Sequence, residues 1–261
     1  MKLMELQEYI TDLFGVENLE KLPGEHIFRF DGVEDVSRIG YCTNLTPDVV
    51  DEAIKAKVNV VLTHHDAFDF LYGMKEVCLT KLREHGISHC QFHLMLDGAD
   101  EFGTNVALAG KLGARVVEKS HWEEDAFHCG RICEFDEPMT FDALKSRLEE
   151  VMEEPVHAWR NHDRPIRRTG IVTGGGMLTN HVKEAVDRGC DAYVTGEKTL
   201  FTVEYARFAG IDLFIGSHTF TELFGVESLA RRIKDRFPEV EIIRLPEERL
   251  ETLHRESCVR R

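Results

Sequence analysis

Residues 58–66 read Val-Asn-Val-Val-Leu-Thr-His-His-Asp. The apolar residues run on without alternation, which is the pattern of a strand buried on both faces, as inner strands of a parallel sheet are. Upstream, Pro47–Lys57 forms a helix, with Thr46 as its N-cap and Pro47 in its first turn. Before it, Ser37–Thr43 is a strand. Downstream come a helix over 74–85 and a strand over His89–Leu94. Strands separated by helical patterns of about 10 to 15 residues define α/β units with mainly parallel or mixed sheets.

The same rhythm extends to both ends. Met1–Phe14 is an amphipathic helix, Thr104–Leu112 a helix closed by Gly113, and Arg115–Glu118 a short strand. From Ala126 onward the expected strands are Phe127–Glu134, Pro155–Arg160, Thr169–Thr173, Ala192–Thr195, Asp212–Ile215 and Val240–Leu245. The expected helices there are Thr140–Met152, Asn180–Arg188, Leu200–Phe208 and Thr219–Phe237. The polar stretch Glu118–Asp125 marks a domain boundary. The reading is of two α/β domains: 1–125, completed by about 216–261, and 126–215. The charged tail after Pro246 is expected to fray.

Composition narrows the function. With 261 residues the chain is long enough for one large or two small domains, and 43% apolar residues can build a real core. The formal charge of −15 repels a phosphate backbone, so bulk nucleic-acid binding is disfavoured. The cluster Arg160, Arg164, Arg167 and Arg168 reads as a solvated or interface face. No run reaches the roughly 20 apolar residues of a membrane span, and the amphipathic, acidic start is unlike a signal peptide. The expected compartment is the cytoplasm. The seven Cys are odd in number, scattered and without a CxxC pair, so they read as free thiols. Cys42 and Cys90 sit at strand ends, as packed thiols in preference to nucleophiles.

Three strand ends carry groups that bind metal ions. In open α/β sheets ligands collect at the carboxyl ends of strands. The first end carries His64 and His65, with Asp66 behind them. Neighbours on an extended chain point to opposite sides, so the pair suits two adjacent ions better than one. The second carries His93 and Asp97, four residues apart before Gly98. The third, Gly216-Ser217-His218, runs into a helix on which His218 and Glu222 share one face. Each alone also reads as an ordinary turn or helix start. Together His, His, Asp, His and Glu make the ligand set of a dinuclear centre for Zn, Mn, Fe or Ni, which activates water as a nucleophile.

Two other motifs are weaker. Gly174-Gly175-Gly176 precedes a helix and matches neither a P-loop nor a dinucleotide fingerprint, so a tight turn is the better reading than an anion cradle. Ser217 beside His218 lacks a GxSxG elbow.

The ordered set of motifs resembles the YbgI-like family, whose members are called GTP cyclohydrolase I type 2 homologues or NGG-interacting-factor-like proteins. It rests on Thr63-His64-His65; on His93 and Asp97 followed by Gly103 and Asn105; on Thr195-Gly196-Glu197; and on Gly216-Ser217-His218 through Glu222. The resemblance implies that His65 and Asp97 hold one ion, His64 and His218 the other, and that Glu222 bridges both. His93 would lie beside the ions and handle protons, with Asp66 as an extra acid. It also implies a toroidal hexamer. The chain departs from the family in having Asp66 where Pro is usual, one extra residue before His218, and Leu200, Phe201 and Thr202 where a His pair and an acid are usual. The expected function is a divalent-metal-dependent hydrolase of a small, nucleotide-like substrate. The competing expectation is a metal-binding or scaffold protein without turnover.

Overall fold

A computed structural model describes residues 1–32, 34–120 and 129–252. The expected boundary at 118–125 and the start of the strand expected at 127 therefore lie mostly outside the described residues. The elements follow in chain order: α1 (Leu3–Phe14), α2 (Val16–Lys21), β1 (His26–Arg29), β2 (Arg38–Asn44), α3 (Pro47–Lys55), β3 (Val60–His65), α4 (Met74–Glu84), β4 (Ser88–Phe92) and α5 (Leu94–Gly98). Next come α6 (Thr104–Lys111), β5 (Ala114–Lys119), β6 (Arg131–Met139), α7 (Phe141–Met152), β7 (His157–Trp159), β8 (Ile166–Val172), α8 (Thr179–Asp187), β9 (Ala192–Thr195), α9 (Leu200–Ala209) and β10 (Asp212–Ile215). The helix α10 (His218–Arg236) and the strand β11 (Glu241–Arg244) close the series.

The chain divides into two compact units, one of residues 1–103 with 223–247 and one of 104–222 with 248–261. Helix α10 gives its first residues, through Glu222, to the second unit and the rest to the first. Both sheets mix parallel and antiparallel pairs, as the strand and helix rhythm predicts.

In the first unit the strand order is β1-β4-β3-β2-β11. The pairs among β2, β3, β4 and β11 are parallel, and β1 lies antiparallel on β4. Strand β3 is central and buried at all six positions, which is why its sequence shows no alternation. One face of the sheet is covered by α3 and α4 through Val49, Val50, Ala53, Cys78 and Leu82. Helix α3 begins where Thr46 accepts a hydrogen bond from the Val49 N–H, which satisfies one of the helix's orphan donors.

In the second unit the order is β5-β6-β8-β9-β10-β7. Strands β8, β9 and β10 run parallel, while β5, β6 and β7 join by antiparallel pairing. Helices α8 and α9 bury Val182, Ala185 and Ala206 against Ile132, Tyr193, Leu213 and Ile215. Among the described residues no helix is long and apolar enough to cross a membrane. The six described cysteines are buried free thiols, and burial pushes the Cys90 thiol up to about 12, far from a reactive thiolate.

Candidate metal centre

In the first unit the ligand candidates sit where β3 and β4 end. His64 and His65 are the last two residues of β3. Their ring centroids are 4.5 Å apart, and His93 completes a triangle at 5.0 Å and 5.1 Å. The rings therefore cluster instead of dividing cleanly between the two faces of the sheet. Each is tied sideways to a different neighbour. The His64 Nδ1–H donates to the Phe92 carbonyl at 2.9 Å, at the end of β4. The His65 Nδ1–H donates to Asn44 Oδ1 at 2.8 Å, at the end of β2. His93 Nδ1 meets the Glu25 carboxylate, and the His93 N–H donates to the Glu25 carbonyl at 2.9 Å. With Nδ1 engaged by an acceptor in all three rings, Nε2 is the nitrogen that could offer a lone pair to a cation. Ligand atoms of His64, His65 and His93 lie within 4.8 Å of one another, so the trio could hold a metal ion. The His93 hydrogen bond, opposed by partial burial, holds the Glu25 carboxyl below its ordinary range.

Asp97 joins this group through α5, a five-residue helix that its sequence reads as a turn. Its backbone N–H bonds back to the His93 carbonyl at 3.2 Å, and its Oδ1 lies 3.5 Å from His64 Nε2. Asp66 is drawn elsewhere. Its carboxylate faces Lys75 at 3.1 Å, Arg29 at 3.6 Å and His89 Nδ1 at 3.8 Å. Because Arg29 donates to His89 Nδ1 at 3.0 Å, His89 carries its proton on Nε2 and gives it to Thr63 Oγ1 at 2.8 Å.

In the second unit His218 opens α10 and Glu222 follows one turn later. His218 Nε2 is 3.2 Å from Glu222 Oε1, and its Nδ1 is 2.6 Å from Glu197 Oε1. Burial alone would lower the His218 pKa, but the two carboxylates outweigh it and raise it to about 10. The carboxylates thus favour the protonated imidazole in the metal-free chain, and an imidazole beside two carboxylates is a donor set that could also hold a divalent cation. The glycine turn wraps this pair. Gly174 has φ +61°, and a Cβ there would stand 1.8 Å from Glu222 Oε1 and 2.9 Å from His218 Nε2. Its N–H donates to Thr221 Oγ1 at 2.9 Å. Residues 174–176 are therefore a turn in which the bareness of Gly174 admits Glu222.

The start of α10 is held by acids. Ser217 N–H and Oγ–H donate to Glu154 at 2.9 and 2.7 Å. The N–H groups of His218 and Thr219 donate to Glu251 at 2.6 and 3.1 Å. Acids at a helix N-terminus satisfy orphan donors and the helix dipole together. Glu251 lies in the stretch expected to fray, yet residues 247–252 are tied down by such bonds. For residues 247–252 the expectation fails, because charge content says nothing of whether acids find backbone donors; the rest of that tail, 253–261, lies outside the described residues.

The sequence thus picks out His64, His65, His93, Asp97, His218 and Glu222, and the structure places each in a cluster of potential ligands within its own unit. Asn44, Glu25, Glu154 and Glu251 carry no sequence signal, since their partners stand 21 to 68 residues away. Glu197 was visible as part of Thr-Gly-Glu, but its hold on His218 was not.

Two buried imidazoles set an acid limit on stability. Burial lowers His89 to about 3 and His181 to about 4. Both lie below the ordinary value near 6.5, so the unfolded chain binds protons that the folded chain does not. Stability is complete above pH ~6.5 and falls as pH drops toward 4, by on the order of a few kcal/mol. Urea midpoints measured with chelator present should fall between pH 7.5 and 4; a flat profile would contradict this.

Two mixed α/β sheets with imidazoles and carboxylates gathered at strand ends define a candidate metal-binding α/β protein. A family model described as Duf34/NIF3 (NGG1p interacting factor 3) matches residues 1–249, and the chain belongs to this family. A Pseudomonas aeruginosa protein named GTP cyclohydrolase 1 type 2 homolog is 32% identical over 79% of this chain and 82% of its own length. A Pasteurella multocida protein of the same name is 28% identical over 91% of this chain and 95% of its own. Among solved structures, the protein ybgI, of unknown function, superposes with a TM-score of 0.82 at 24% identity, over 95% of this chain and 99% of that one. The protein TTHA1606 from Thermus thermophilus does so at 0.78 and 21%, over 95% and 99%. At these identities the structural likeness speaks to the fold.

Proposed function

We propose that His64, His65, Asp97, His218 and Glu222 jointly bind two divalent metal ions, and that the protein is a metal-dependent hydrolase of a small, nucleotide-like molecule. The observation that carries this reading is the imidazole trio, whose ligand atoms lie within 4.8 Å of one another while each Nδ1 is held by an acceptor. By the family resemblance, His65 and Asp97 would hold one ion and His64 and His218 the other, with Glu222 shared between them. A mixed nitrogen and oxygen donor set suits Zn, Mn, Fe or Ni. Bound ions of this kind lower the pKa of water and supply a nucleophile at neutral pH. The chain's own part is to aim the ligands and move the proton. Asn44, Phe92 and Glu197 fix the ring orientations of His65, His64 and His218. His93, backed by Glu25, is placed to take up and release the proton. Asp66, engaged by Lys75, Arg29 and His89, is less well placed for that task than His93.

By the same reading the protein works in the cytoplasm as a homo-oligomer, a toroidal hexamer by family resemblance, without nucleic-acid partners. One observation favours the alternative of a non-catalytic metal-binding or scaffold protein: Leu200 and Phe201 are 68% and 70% exposed where the family usually carries polar groups. The test counts metal per chain by elemental analysis, then assays phosphoesters, nucleotides and amides. About two ions per chain with turnover supports the hydrolase, and ions without turnover support the alternative. Fewer than about one ion per chain, with His65→Ala no different, ends both.

A further inference from the structure

The segment 247–251 crosses from the first unit into the second and places one carboxylate behind each set of ligand candidates. In the first unit Glu247 is half-buried. Its Oε2 accepts from the Thr43 N–H at 2.7 Å, and its Oε1 from the Asn44 N–H at 2.8 Å and from Asn44 Nδ2 at 3.1 Å. The Asn44 amide is therefore clamped by its nitrogen end, and its oxygen end faces the His65 Nδ1–H. That clamp also decides which way round the amide sits, since a flipped Asn44 would put an N–H against the N–H of His65. In the second unit Glu251 takes the N–H groups of His218 and Thr219 and, at 2.7 Å, the Thr219 hydroxyl. Between them Arg249 donates to the Met152 carbonyl at 2.8 Å and lies over the Phe220 ring at 4.2 Å.

We infer that Glu247 and Glu251 are positioning residues, the first setting His65 through Asn44 and the second setting His218 through the start of α10. One short acidic stretch thus tunes both ligand sets. Fixing a ligand's orientation from behind is worth about 10- to 100-fold in metal affinity. The inference goes beyond the proposed hydrolysis but rests on metal binding by His65 and His218.

The test titrates the metal-free full-length chain with Co(II), reading affinity by calorimetry and ligand geometry by the visible absorption of the bound ion. In Glu247→Gln, one acceptor becomes an NH2 group that meets backbone donors. Its binding should weaken about 10- to 100-fold at one step of the titration, with an altered absorption band. Glu251→Gln should weaken the other step. Asn44→Ser, which no longer spans to His65, should reproduce Glu247→Gln and carries the test should that variant fold poorly. Unchanged affinity and spectrum, with only the melting temperature lowered, would reduce the segment to a structural brace and overturn the inference. A wild-type chain that takes up no Co(II) would instead remove the metal-centre reading itself, and this inference with it.

Discussion

His65→Ala should lose at least one metal equivalent per chain and all metal-dependent turnover while keeping its fold. His65 is 7% exposed, and its Nδ1–H is engaged by Asn44, so any contribution to a cation would be made through Nε2. Removing a residue that merely orients a ligand costs about 10- to 100-fold in affinity, and removing the ligand itself should exceed about 100-fold. The structural cost is smaller. The lost hydrogen bond and the 5.5 Å ring contact with Phe68 amount to about 1–3 kcal/mol. Elemental analysis after gel filtration, with circular dichroism on the same sample, checks both halves. His93→Ala is the informative companion. In the role proposed it keeps the metal and loses about 10²- to 10⁴-fold in rate, the usual scale of a lost proton-transfer group. A His65→Ala protein with wild-type metal content would remove His65 from the centre. Loss of metal in His93→Ala would turn His93 from proton carrier into ligand.

Much of this arrangement was legible because ligands and strand ends coincide in sequence. The apolar run ending in His64 and His65 identified an inner strand and its chemical end together. The caps Thr46 and Thr140 marked helix starts, and the glycines marked stops. What the sequence hid was short or long-range. Strand β1 has four residues, all half-buried, with no alternation to read. Helix α5 has five residues and ends in Asp97-Gly98, which looks like a turn, so Asp97 was seen without the helical spacing that brings it under His93. The strand β5 and the helix α6 precede the polar stretch chosen as a boundary, yet β5 pairs with β6 in the second sheet. Pairing partners are chosen by three-dimensional register, and local polarity does not report them. The residues behind the ligands were hidden for the same reason. Asn44 and Glu25 act through contacts that hydrophobic periodicity does not encode.

Gly174→Ala separates backbone strain from site chemistry. At φ +61° any residue other than glycine pays for the left-handed conformation, on the order of 1–2 kcal/mol. Gly189→Ala, in the same unit at φ +71° with nothing within 4 Å of its added Cβ, should show that cost alone. For a chain of this size about 1 kcal/mol corresponds to roughly 2–4 °C in melting temperature. Gly174→Ala carries the same strain and a collision besides, since its methyl would stand 1.8 Å from Glu222 Oε1. Glu222 is 3% exposed and its neighbourhood is close-packed, so its carboxylate has to leave the position beside His218. Gly174→Ala should therefore lose more stability than Gly189→Ala, and the two should differ in metal content. Gly189→Ala keeps the wild-type complement, and Gly174→Ala falls well below it. Were Gly174→Ala to melt several degrees lower with its metal intact, Glu222 would be a buried acid that the turn accommodates and not the bridge between two ions.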